Sequence, residues 1–297
     1  MKYGPVGIVG CGRMGVPMLK ALSEAGFDVR GFDTRPEAGD QLGPIPFTTD
    51  PEEFADGLDI AFTVVRDEAQ TEDVLFGEGS LVAHGHELRW IIVSSTLSPR
   101  YTRNLRGVVP DRIRLVDAPM AGGQVAAQRK SMTFMLGGSL GDLDHLHPLF
   151  NAMGHHFHRM GPFGSGMVAK VLDNLLAASS TAMTRLALNW ADAAGLDERA
   201  LLEIVHGSCG QNWLASGWDD IEFARDGWAP DNAIGLLSKD VLAALDAAPD
   251  GASTELPRAV HDAMRALEPR LSEPRPRRPG RAVIRPGATT APSARWM

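Results

Sequence analysis

The chain has 297 residues, 44% of them hydrophobic and 22% charged, with a formal net charge of −8. That length exceeds what one compact core usually takes and predicts two globular domains. No apolar run approaches the ~18 residues of a membrane span, and two cysteines, Cys11 and Cys209, are too few for a disulfide framework, so a reducing, cytoplasmic setting is expected. Seven arginines and one glutamate within residues 270–297 leave −14 on residues 1–269, an acidic body that argues against nucleic acid as a partner.

Met1-Lys2-Tyr3-Gly4-Pro5 leads straight into the apolar run Val6-Gly7-Ile8-Val9, with no targeting segment expected. Gly10-Cys11-Gly12-Arg13-Met14-Gly15 follows and opens the helical pattern Val16 to Leu22. Strand, glycine turn and helix in that order form a dinucleotide grip. Gly10 allows the tight turn, Gly12 lets backbone approach a pyrophosphate, and Gly15 lets the helix pack close to the strand. A second apolar run, Phe27 to Phe32, ends in Asp33 about 20 residues on, where an acidic residue meets the adenosine ribose. Cys11, Arg13, Met14, Thr34 and Arg35 complete this end of the cofactor set. Asp33 favours NAD over NADP by repelling a 2′-phosphate, while Arg35, two residues on, pulls the other way.

Further β-prone runs are Ile60 to Val65, whose last residue joins the cofactor set, Trp90 to Val93, Ile113 to Val116 and Met132 to Leu136. Helical patterns such as Asp67 to Leu75 and Pro99 to Leu105 separate them, so the fold class is α/β, a Rossmann-type doubly wound parallel sheet. A last strand is expected at His155 to Arg159, and Gly161-Pro162-Phe163-Gly164 then punctuates the chain. From Gly166 to Ala194 the sequence is rich in Ala, Leu and Met without proline, and helices follow around Glu198 to His206, Ala233 to Ala247 and Pro257 to Leu267. Residues 1–163 thus read as the dinucleotide-binding domain and 164–271 as an all-α domain. The Pro/Arg-rich segment 272–297 reads as a disordered tail, with a polyanion-binding arm as the functional alternative.

Four segments carry candidate chemistry. Ser94-Ser95-Thr96-Leu97-Ser98-Pro99 ends a strand, with Thr96 placed to face the cofactor and Ser98-Pro99 placed to start a helix. Asp117 to Gly123 ends another, and its paired glycines Gly122 and Gly123 either expose amides that hold a carboxylate or form a plain turn. Lys170 and Asn174 share one helix face. Lys170 is either a proton-transfer group with a lowered pKa in the interdomain cleft or a snorkelling surface lysine. Lys239 either approaches the nicotinamide region or pairs with Asp240 on the surface. His155-His156-Phe157-His158 splits between two strand faces and has no accompanying ligand set, so no metal is expected.

With these segments in this order, the chain resembles the β-hydroxyacid dehydrogenases, whose members include 3-hydroxyisobutyrate dehydrogenase, glyoxylate/succinic semialdehyde reductases and tartronate semialdehyde reductase. The likeness runs from about residue 4 to residue 267. It implies hydride transfer between the nicotinamide of NAD, with NADP possible, and a small 3-hydroxy acid or semialdehyde. Lys170 would be the catalytic lysine, Asn174 its partner, and Gly122 and Gly123 the carboxylate holders, while Thr96 would position substrate or cofactor and Lys239 would line the closed cleft. The resemblance also implies a homodimer or homotetramer. Two positions depart from the family pattern: Ala121 replaces the usual substrate-holding serine, and Asp173-Asn174 replaces Asn-Asn. An NADP-dependent imine reductase and a non-catalytic dinucleotide-binding protein are the alternative readings. The imine reductases usually lack the lysine present here as Lys170.

Overall fold

The computed structural model describes residues 3–270. The expectation for residues 272–297 lies outside them. Strands β1 (Val6–Val9), β2 (Val29–Phe32), β3 (Phe47–Thr48), β4 (Ile60–Thr63), β5 (Trp90–Val93) and β6 (Arg114–Asp117) are mutually parallel. They lie in the order β3-β2-β1-β4-β5-β6. β1, β4 and β5 are buried at every residue, which is why they read as continuous apolar runs rather than alternating ones.

Helix α1 (Gly15–Glu24) covers one face of the sheet, where Leu19 and Leu22 pack with Ile8, Phe62 and Ile92. Helices α2 (Pro51–Ala55), α3 (Glu68–Phe76), α4 (Leu81–His84) and α5 (Pro99–Val108) follow β3, β4 and β5. Phe54, Leu75, Leu81 and Leu105 of these helices fill the second core with Val9, Ala61 and Val93. The chain leaves β1 toward β2 and β3, then returns to β4 on the other side. The crevice between β1 and β4 is therefore the switch point at which open α/β sheets bind ligands.

The sheet is parallel-dominated, as a Rossmann-type fold predicts, with one antiparallel section at its far edge. β7 (Met120–Ala121) and β8 (Met132–Gly137) pair antiparallel, as do β6 and β8, because the chain folds straight back after Asp117 with only the short α6 (Gly123–Gln128) between β7 and β8. After α7 (Leu140–Met153), β9 (Gly154–Gly161) runs parallel to β8. His155, His156 and His158 are all exposed on β9.

Helix α8 (Ser165–Ala194) has 30 residues, about 45 Å at 1.5 Å per residue. It stops at Gly195, whose positive φ of 74° closes the last turn. After α9 (Glu198–His206) and α10 (Trp213–Ser216) come α11 (Ala233–Asp246) and α12 (Glu255–Arg265). Ile234 and Val241 of α11 and Val260 and Met264 of α12 pack on Ala178 and Ala182 of α8. The predicted helices agree in place; α10 and β3 lack the length to leave a periodic signal. Among the described residues no helix is long and apolar enough to cross a membrane.

Candidate active site

At the end of β1, Gly10 has a φ of 94°, and a Cβ there would run into the Val64 carbonyl. A Cβ on Gly15 would run into the Gly10 carbonyl oxygen. Over Gly12 the space is open, with only Arg35 Nη2 as near as 4.0 Å from where a Cβ would stand. Tight turn, close helix and an uncovered backbone are what a pyrophosphate needs, so these residues fit a dinucleotide.

The side chains around the turn take other roles. The Cys11 thiol is buried at 2% exposure against Gly31, and burial, then Asp33, pushes its pKa up to about 12. Cys11 can therefore serve a ligand only through its backbone. Arg13 reaches across the molecule: Nε donates to Gln124 Oε1 at 2.9 Å and Nη2 pairs with Glu222 Oε2 at 2.7 Å. Met14 packs partly buried against the first core.

Asp33 is 7% exposed beyond β2. Its Oδ2 accepts from the Cys11 amide and Arg35 Nη2, and its Oδ1 from the Arg35 amide and Nε, each at 3.0 Å. Burial opposes ionisation, but the Arg35 side chain and these amides outweigh it and hold the carboxyl below its ordinary range. Arg35 thus pairs with Asp33 while remaining exposed to solvent. Thr34 is exposed beside the pair. Val65 lies beyond the end of β4, not within it, and its amide donates to Ser95 Oγ at 2.9 Å.

One turn into α8, Lys170 is 7% exposed, which removes the snorkelling alternative. Its Nζ donates to Asn174 Oδ1 at 2.8 Å, and Asn174 Nδ2 donates to Asp240 Oδ2 at 2.6 Å. On α11, Lys239 pairs with Asp240, which is buried rather than on the surface, and also reaches Thr96. Nζ lies 2.8 Å from Asp240 Oδ1 and donates to the Thr96 carbonyl at 2.7 Å. A polar chain thus runs from Lys170 through Asn174, Asp240 and Lys239 to Thr96. Burial lowers the Lys170 pKa, with Asp173 and Asp240 opposing it. In the sequence Asp240 stands only as a possible surface partner of Lys239, and its bond to Asn174, 66 residues away, leaves no local signal.

Thr96 and Lys239 line a cleft of about 570 Å³ between α3, α5 and α11, large enough for a small molecule. Asp117, wholly buried at the end of β6, accepts from the Gly164 and Met167 amides at 2.6 Å each and so ties the sheet to the start of α8. Gly122 and Gly123, with φ of 116° and 62°, are exposed at the start of α6, and Arg13–Gln124 links that turn to the glycine turn. Ala121 is half-buried in β7, paired with Thr133.

The chain is similar to known proteins over most of its length. Residues 5–161 match the NAD binding domain of 6-phosphogluconate dehydrogenase, and residues 164–275 match the NAD-binding family of NADP-dependent 3-hydroxyisobutyrate dehydrogenase. The chain is 30% identical to the NAD-dependent L-serine dehydrogenase of Pseudomonas aeruginosa, covering 84% of this chain and 87% of that one. It is also 30% identical to the mitochondrial 3-hydroxyisobutyrate dehydrogenase of Rattus norvegicus, over 82% of this chain and 76% of that one. Among solved structures, the 3-hydroxyisobutyrate dehydrogenase of Salmonella typhimurium superposes with a TM-score of 0.75 at 25% identity, covering 88% of this chain and 92% of that one. The chain belongs to the β-hydroxyacid dehydrogenase family and is an NAD(P)-dependent hydroxyacid dehydrogenase.

Proposed function

We propose that the enzyme interconverts a small 3-hydroxy acid and its semialdehyde, with Lys170 moving the proton. The observation that carries this reading is the buried Lys170 amine, held 2.8 Å from Asn174 Oδ1. When bound, the nicotinamide cofactor supplies the hydride acceptor or donor. In oxidation the neutral Lys170 amine takes the substrate hydroxyl proton; in reduction its ammonium form gives one to the carbonyl oxygen. Asn174 fixes the amine by accepting from it, and Asp240 fixes Asn174 in turn. Gly122 and Gly123 amides hold the substrate carboxylate at an exposed turn. Lys239 and Thr96 close the cleft between sheet and helices. Gly10 to Gly15, Asp33, Thr34, Arg35 and Val65 hold the cofactor.

The domain division we propose falls at residue 163, between the last strand and α8, with α8 onward forming the substrate and oligomerisation domain. Self-association as a homodimer or homotetramer is supported by α8 itself. Leu172, Leu176, Met183, Leu186 and Trp190 are exposed on it and recur in steps of four, seven, three and four residues, a single apolar seam. A cytoplasmic setting is supported by the free thiols of Cys11 and Cys209.

The test is a panel of small 3-hydroxy acids and semialdehydes with both cofactors, followed by nicotinamide absorbance, in wild type and Lys170→Ala. Turnover should fall by ~10² to 10⁴ in the variant while cofactor affinity survives. Wild-type kcat in Lys170→Ala would remove the assignment. Cofactor binding without turnover of any substrate would instead favour a non-catalytic binding protein.

A further inference from the structure

The spacing from residue 170 to 173 puts both side chains on one face of α8, and Lys170 Nζ lies 3.6 Å from Asp173 Oδ2. Their environments differ sharply: the lysine side chain is 9% exposed and the carboxylate 50% exposed. Asp173 therefore stands at the solvent-facing end of an ion pair whose amine is enclosed. Around that amine, α8 presents Asp173 and the neutral Asn174, and α11 presents Asp240, which stands 2.8 Å from the Lys239 ammonium. Asp117, nearer the start of α8, directs both oxygens at backbone amides. Of the two carboxylates near Lys170, Asp173 is thus the one with no second cation beside it among the described residues.

We propose that Asp173 is a positioning residue that sets the pH at which Lys170 passes from proton donor to proton acceptor. The inference rests on the reading of Lys170 as the proton-transfer group. A full negative charge 3.6 Å away favours the ammonium form over the neutral amine, whereas an asparagine there favours neither by charge. Burial acts in the opposite sense and lowers the Lys170 pKa, with Asp173 leading the charges that oppose it. The consequence is coupled in the two directions. Reduction starts from the ammonium, which loses its proton to the carbonyl oxygen as hydride arrives at the carbonyl carbon. Oxidation starts from the amine, which gains the hydroxyl proton as hydride leaves. Removing the Asp173 charge should move the rise of oxidation and the fall of reduction to lower pH together, leaving both plateaus in place.

The test titrates Lys170 without relying on turnover. The full-length enzyme is labelled with trace acetic anhydride across a pH series, and the acetylated Lys170 peptide is quantified by mass spectrometry in wild type, Asp173→Asn and Asp173→Glu. The Asn variant should titrate about one pH unit lower than wild type, and the Glu variant should recover most of the difference. The pH profiles of kcat/KM in both directions should shift by the same amount. An unchanged Lys170 midpoint in Asp173→Asn would overturn the proposal, as would a plateau rate that drops without any shift in midpoint. If no 3-hydroxy acid or semialdehyde is turned over, the functional reading fails, and the labelling midpoint still decides the role of Asp173.

Discussion

Arg35 grips Asp33 in a two-point ion pair, Nε to Oδ1 and Nη2 to Oδ2, both at 3.0 Å. The residue that should repel a 2′-phosphate and the residue that should welcome one are therefore joined. Paired in this way, Asp33 presents less net charge to the ribose than a bare carboxylate, and NADP meets a weaker repulsion. We expect kcat/KM for NAD to exceed that for NADP in wild type. Arg35→Ala should widen that gap about three- to tenfold, since the Arg35 side chain is 59% exposed and the pair is partly screened. Asp33→Asn should narrow it. Titration of both cofactors against the three proteins checks this, and a smaller gap in Arg35→Ala would mean that Arg35 does not shield Asp33.

Ala121 precedes the Gly122-Gly123 turn with a methyl, where the family resemblance implies a substrate-holding serine hydroxyl. A hydrogen bond to a charged group contributes ~1.5 to 3 kcal/mol when buried, and less at a half-exposed position such as this one. Ala121→Ser should lower KM for a small 3-hydroxy acid about three- to tenfold with kcat little changed. Steady-state kinetics on one verified substrate decides the matter. An unchanged KM would place the substrate carboxylate away from this turn.

The residues legible in the sequence are those whose meaning is fixed within one element. The turn from Gly10 to Gly15 follows directly on an apolar strand, and Lys170 and Asn174 share a face because a helix returns every four residues. Asp240 and Asp117 act through contacts 66 and 47 residues apart, which no local periodicity encodes. The antiparallel β8 escaped for a related reason. Strand direction is set by the path between strands, and a two-residue β7 carries no pattern of its own. Arg35 shows the limit in miniature, since its position two residues after Asp33 is plain but its pairing with that residue depends on the rotamer.

The seam on α8 gives an assembly prediction. Trp190 and Leu176 are 69% and 70% exposed among the described residues, unusual for such large apolar side chains on a single helix face. Wild type should elute at the mass of two or four chains by light scattering, and Leu176→Asp with Trp190→Glu should shift it toward the monomer. Wild type running as one chain at micromolar concentration would show that the seam serves something other than self-association.

Asp117 carries the clearest pH prediction. Burial pushes its carboxyl up to about 6, against the Gly164, Met167 and Gly166 amides that favour the ionised form. A Cβ on Gly137 or Gly166 would strike this carboxylate, so the backbone closes around it and leaves little room for water. The folded-state pKa lies above the unfolded value near 3.8, so between these two values the native state holds more protons than the unfolded chain. This group's contribution to stability is therefore full below about pH 4 and is lost as pH rises through about 6. Asp117→Asn removes the titration and leaves one α8 amide without its acceptor, at a cost of about 1 to 3 kcal/mol. The variant should melt below wild type at pH 7, and the gap should widen as pH falls from 6 toward 4, because only wild type gains a proton on folding. Melting temperatures of both proteins across that range provide the check, and a gap that narrows toward pH 4 would show that Asp117 is ionised throughout.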